Sequence, residues 1–167
     1  LWFLGAFLID GYASAGNILS GKLFGAKDYK TLIELSNKLI KYGVVVGVII
    51  GLIGAVFYYP IGSIFSDDKA VLEAFNNVFW MILAMQPLCA LAFIFDGVFK
   101  GLGKMQYLRN VLLFSTLMVF IPVVLVTDAL DYKLHGIFIA FTLWIIARGL
   151  PLIIKFRKTF KTLVQNT

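Results

Sequence analysis

Two aspartates are embedded in apolar sequence: Asp10 in LWFLGAFLIDGYASAGN and Asp96 in PLCALAFIFDGVFKG. A carboxylate at bilayer depth costs roughly 2.5–3.5 kcal/mol on insertion scales, so an acid kept there has a partner or a task. Ser14 and Asn17 follow Asp10 by four and seven residues and share its helical face, which Gly21 extends. A cavity-facing carboxylate on such a stripe can hold a proton or a monovalent cation, and the alternative is an aspartate hydrogen-bonded to a neighbouring helix for packing. Gln86 and Cys89 precede Asp96 by ten and seven residues, roughly on its face, and are expected to line the same cavity. Lys100, four residues after Asp96 in the favourable acid-before-base order, predicts a local ion pair near the membrane edge, with the lysine snorkelling outward. A transport role for Asp96 is the competing reading.

Enzyme chemistry finds no footing. The chain has one cysteine and one histidine, and it shows no metal-ligand cluster, no nucleophile–base pair and no phosphate loop. No cofactor is expected; the ions of interest are H+ or Na+ as coupling ions. The net charge of +6 does not mark a nucleic-acid binder, because the basic residues sit at the ends of apolar runs. Hydrophobic residues make up 60% of the chain and charged residues 14%, against about 45–50% and 25% in ordinary soluble domains. The lipid bilayer is the solvent such a composition needs.

The elements that must position these residues are apolar runs of spanning length, about 20 residues each. Five are expected, over residues 1–25, 41–65, 74–103, 110–127 and 134–154, giving an all-α polytopic membrane helix bundle, with residues 155–167 as a basic tail. Basic residues alternate between the connections. Lys22, Lys27, Lys30, Lys38, Lys41, Lys100, Lys104, Arg109, Arg148, Lys155, Arg157, Lys158 and Lys161 fall on one side, Lys69 and Lys133 on the other. The positive-inside rule then places the C-terminus in the cytoplasm and residue 1 outside, in a multi-pass protein of the plasma (inner) membrane. The first residue is Leu1, within an apolar run, so the chain reads as a fragment or lacks its true start. Residues 31–41 are amphipathic, with Leu32, Leu35 and Leu39 at helical spacing, and predict a short interfacial helix ahead of the second span. Gly43, Gly47 and Gly51, spaced by four, predict a close helix–helix contact. Pro87, Pro122 and Pro151 are sites for kinks.

The two Asp-Gly segments carry a resemblance. Asp10-Gly11-Tyr12-Ala13-Ser14-Ala15-Gly16-Asn17 runs on through Gly21-Lys22 to Gly25-Ala26-Lys27-Asp28, and Asp96-Gly97-Val98-Phe99-Lys100-Gly101 runs on to Arg109-Asn110. In these segments, and in the order and hydropathy of the runs between them, nearly the whole chain resembles the multidrug and toxic compound extrusion (MATE) family, nearest the branch named for DNA-damage-inducible protein F. The resemblance implies a transporter of twelve helices in two lobes, of which these are the last five. It implies export of drugs, organic cations or amphipathic compounds by proton- or sodium-coupled antiport, with Asp96 at an acidic position tied to cation coupling. Asn17 stands where that branch often has an acid, and Lys100 where it usually has an apolar residue. The first lobe is then a missing partner, and the piece alone is expected to be inactive.

On this reading Asp10 carries most of the coupling, Asp96 shapes the cavity, and Ser14, Asn17, Gln86 and Lys100 line it. Two alternatives compete. A lipid-linked oligosaccharide flippase of the same superfamily needs a strongly basic cavity, whereas the buried charges here are mainly acidic. A small membrane scaffold subunit would be complete as five helices.

Overall fold

The computed structural model describes residues 2–58, 62 and 67–165, with the backbone alone at 2–4, 133 and 161–165. The helices are α1 (Trp2–Gly25), α2 (Tyr29–Val56), α3 (Lys69–Gly101), α4 (Met105–Phe114), α5 (Ile121–Ala129) and α6 (Lys133–Gln165). A π-helical segment, Ser115–Phe120, joins α4 to α5 in one rod, so the bundle has five rods and no strand among the described residues. Four rods, Tyr29–Val56, Lys69–Gly101, Met105–Ala129 and Leu134–Phe160, are long and apolar enough to cross a membrane. The 24 residues of α1 have the length, about 36 Å at 1.5 Å per residue, but Asp10, Ser14 and Asn17 dilute its apolar character and it is not among the four. Phe7, Ile18, Leu52, Val56, Met118, Leu125 and Ile154 are each more than half exposed, a penalty in water and none in lipid. The chain is a multi-pass membrane helix bundle.

The stretch expected as a separate interfacial helix is continuous with the second span. Leu32, Ser36, Leu39, Gly43 and Gly47 are all buried on α2 and recur on one helical face, so a single stripe runs through both with nothing to break it. Asp28 caps the helix, accepting from the Thr31 N–H at 3.1 Å, and the hydrogen bonds from Thr31 hold its carboxyl below the usual carboxylate value. Of the expected end of this span, residues 59–61 and 63–65 lie outside the described residues, as does Leu1 of the first span.

Helix α3 is the axis of the bundle, packing against α1, α2 and α6, while α6 also covers the α4–α5 rod. Gly103, at φ +68°, makes the left-handed turn between α3 and α4. Residues 155–165, expected as a basic tail, continue α6 to Gln165. The cause is apolar: Phe156 and Phe160 are buried in one cluster with Leu32, Phe95, Phe99 and Leu152. The kink expected at Pro122 takes a specific form. Proline has no N–H for the carbonyl one turn back, and the turns before it widen, with the Ile121 N–H bonding the Thr116 carbonyl. Ser115, fully buried, returns its hydroxyl to the Val111 carbonyl at 2.8 Å.

Candidate functional site

Adjacent residues on a helix point about 100° apart, and α3 uses this at Asp96-Gly97. Gly97 turns to α1, where a Cβ would run into the Ala13 carbonyl. Asp96 turns to α6, where the Arg148 guanidinium donates from Nη2 to Asp96 Oδ2. The Asp96 side chain is 8% exposed, so its charge is compensated inside the bundle. The guanidinium also sits 5.6 Å from the Phe93 ring centroid and 5.2 Å from that of Trp144. Phe93 lies one turn before Asp96 on α3, and Trp144 one turn before Arg148 on α6. The Trp144 indole N–H donates to Thr116 Oγ1 at 3.0 Å, within the π segment. One set of contacts thus links α3, α6 and the α4–α5 rod.

This overturns the expected Asp96–Lys100 pair. Lys100 is exposed and makes no ion pair with Asp96. A long lysine at a helix end reaches water more cheaply than it stays buried. Arginine, more weakly hydrated and forked, suits a buried carboxylate better. Arg148, counted among the basic residues of the cytoplasmic side, is partly buried between α3 and α6. Its signal in the sequence was an arginine interrupting an apolar run, four residues after a tryptophan.

Asp10, Ser14, Asn17 and Gln86 do not converge on Asp96. Asp10 and Ser14 are exposed and Asn17 is half-buried, so the polar stripe of α1 turns away from α2 and α3. A Cβ on Gly11 would meet nothing within 4 Å. Gln86, 3% exposed, faces α1 instead: a Cβ on Gly5 would lie 2.7 Å from Gln86 Oε1, and that oxygen has no hydrogen-bond partner among the described residues. Cys89 is buried with Ile9, Met85 and Ile145. Gln86 and Cys89 therefore lie in packed interior. Lys104, Tyr107 and Lys155 line a separate cleft of about 850 Å³ between the α3–α4 turn and α6.

Close backbone approach seats α3 against two helices. Gly43, Gly47 and Gly51 of α2 lie on α3, where a Cβ on Gly47 would come within 3.0 Å of the Gln86 carbonyl. Gly97 and Gly101 of α3, also spaced by four, press against the Ala13 and Asn17 carbonyls of α1. Small residues at such spacing let helix backbones touch in lipid. Asp96 thus projects from a helix with little freedom to move.

Comparison with known proteins bears on most of the chain. Residues 1–126 match the model of the MatE family. The chain is similar to Protein DETOXIFICATION 45, chloroplastic, of Arabidopsis thaliana, 31% identical over 107 residues, which cover 64% of this chain and 19% of that protein. It is similar to Protein DETOXIFICATION 42 of the same plant, 32% identical over 108 residues, covering 64% of this chain and 21% of that protein. The chain matches about a fifth of the length of these curated relatives.

Proposed function

The chain belongs to the MatE family, and from that premise we propose that the protein it forms is a secondary active transporter, exporting drugs or organic cations by antiport against protons or sodium. The observation that supports this best is Asp96, a carboxylate buried in a multi-pass bundle with its charge compensated from another helix. Such acids are costly in a membrane, and ion and substrate paths are where they are retained. The word detoxification in the names of the similar plant proteins points the same way. In this reading Asp96, which is buried, replaces the exposed Asp10 expected from the sequence as the main coupling acid. Asp10, with Ser14 and Asn17, is a second acid on the α1 face that the first lobe would cover. Lys100 marks the cytoplasmic edge. The basic connections support a cytoplasmic C-terminus in a plasma (inner) membrane.

The test is transport by the whole protein in sealed vesicles. A fluorescent organic cation should move uphill when a proton or sodium gradient is imposed, and should stop when the gradient is collapsed. Movement indifferent to both gradients would overturn antiport. Orientation is checked separately in intact cells: cysteines at Asp68 and Asp131 should react with an impermeant reagent from outside, and one at Lys158 should not.

A further inference from the structure

The structure joins Asp96 to the π segment through two side chains of α6. Arg148 holds Asp96 on one side and lies against the Phe93 and Trp144 rings on the other. Trp144 in turn reaches the π segment by two routes, one direct and one through Phe141. Its indole N–H bonds Thr116, and its ring meets Phe141, 6.4 Å between centroids, which lies 5.0 Å from Phe120. Other charges stand apart. Lys100 on α3, Asp10 on α1, Lys38 and Lys41 on α2 and Lys155 on α6 are all exposed.

We propose that Arg148 is a positioning residue: an internal cation that occupies Asp96, must leave before a proton or sodium ion takes the carboxylate, and passes its displacement through Trp144 to the π segment. The proposal rests on the antiport reading above. Its physical basis is charge balance. Asp96 with Arg148 is neutral in a medium where an unpaired charge costs several kcal/mol. A cation arriving at Asp96 releases the guanidinium, and the Phe93 and Trp144 faces are the nearest groups that favour a positive charge. Arg148 then settles more closely on Trp144, and the indole that carries it is the one bonded to Thr116. The π segment is the element suited to respond. Its wide turns are one residue from ordinary helix register, and Pro122 prevents the ladder from closing normally just beyond them. The pair thereby sets how readily a coupling ion binds, and the relay carries binding to the α4–α5 rod.

The experiment uses the whole protein in vesicles, reading the external cation concentration for half-maximal efflux alongside the yield of folded protein. Arg148→Gln should lower that concentration at least tenfold, because the ion no longer competes with a resident charge. Arg148→Lys, which keeps the charge but loses the fork and the planar stacking, should lower it by a smaller factor, and decides the matter if Arg148→Gln fails to fold. A purely structural role predicts reduced yield with an unmoved ion dependence, and that result in a folded variant would overturn the proposal. Thr116→Val should leave the half-maximal concentration in place and slow turnover severalfold; unchanged turnover would remove the relay. Wild-type efflux with no ion dependence would overturn the antiport reading, and this proposal with it.

Discussion

Two Asp-Gly dipeptides sit on parallel helices of one bundle and have opposite surroundings. At Asp96-Gly97 both residues are committed. The carboxylate is held by Arg148 of α6, and the glycine lets α3 press on the Ala13 carbonyl of α1. At Asp10-Gly11 neither is: the aspartate is exposed, and the glycine has open space where a Cβ would go. The same two residue types therefore form a locked, charge-neutral unit in one place and an open polar face in the other. The difference arises from position. α3 is surrounded by α1, α2 and α6, whereas α1 packs on α2 and α3 along one side.

The contrast can be broken by substitution, and the largest effect is expected at the ion pair. Removing one partner of a buried pair costs about 3–5 kcal/mol because the other charge is left unpaired. Asp96→Asn and Arg148→Gln should each lower the folded fraction sharply in detergent melts, and the double variant should be more stable than their separate losses add up to. Asp10→Asn should melt like the parent. Next comes the glycine pair. Gly97→Ala forces α1 away from α3 and should cost about 1–3 kcal/mol, as overpacking does, while Gly11→Ala should be neutral or slightly stabilising in the same assay. The smallest effect is at Lys100. Lys100→Ile should leave both the melt and the behaviour of Asp96→Asn unchanged, since the lysine does not pair with that carboxylate. A Lys100→Ile change that alters the Asp96→Asn phenotype would restore the local pair.

Much of this was legible one helix at a time. The apolar runs mark the rods, and the spacing of Gly43, Gly47 and Gly51 marks the face of α2 that meets α3. What lies between helices was not. Helical spacing offers Asp96 a partner only on its own helix, so it points to Lys100. The partner in fact comes from α6, more than fifty positions on, through a packing that no periodicity encodes. The α1 stripe of Asp10, Ser14 and Asn17 showed that a polar face exists but not that it turns away from the bundle. Pro122 signalled a break, yet a kink and a π segment satisfy the same missing N–H, and Ser115 and Thr116 are too common in helices to tell them apart. The 31–41 stretch looked interfacial because its lysines are polar. Its Leu32 and Leu39 lie on the stripe that Gly43 and Gly47 continue, and that continuity makes it one helix with the span.

The claim at the centre is that the buried carboxylate of α3 couples an ion to transport. It is tested most directly by Asp96→Asn in the whole protein, reconstituted at the parent's level of folded protein, with efflux of a fluorescent cation driven by an imposed proton or sodium gradient. The account predicts that the variant still binds the substrate and lets it equilibrate, but no longer moves it uphill. Uphill efflux at the parent's rate would contradict it, and would leave Asp96 and Arg148 as a structural pair.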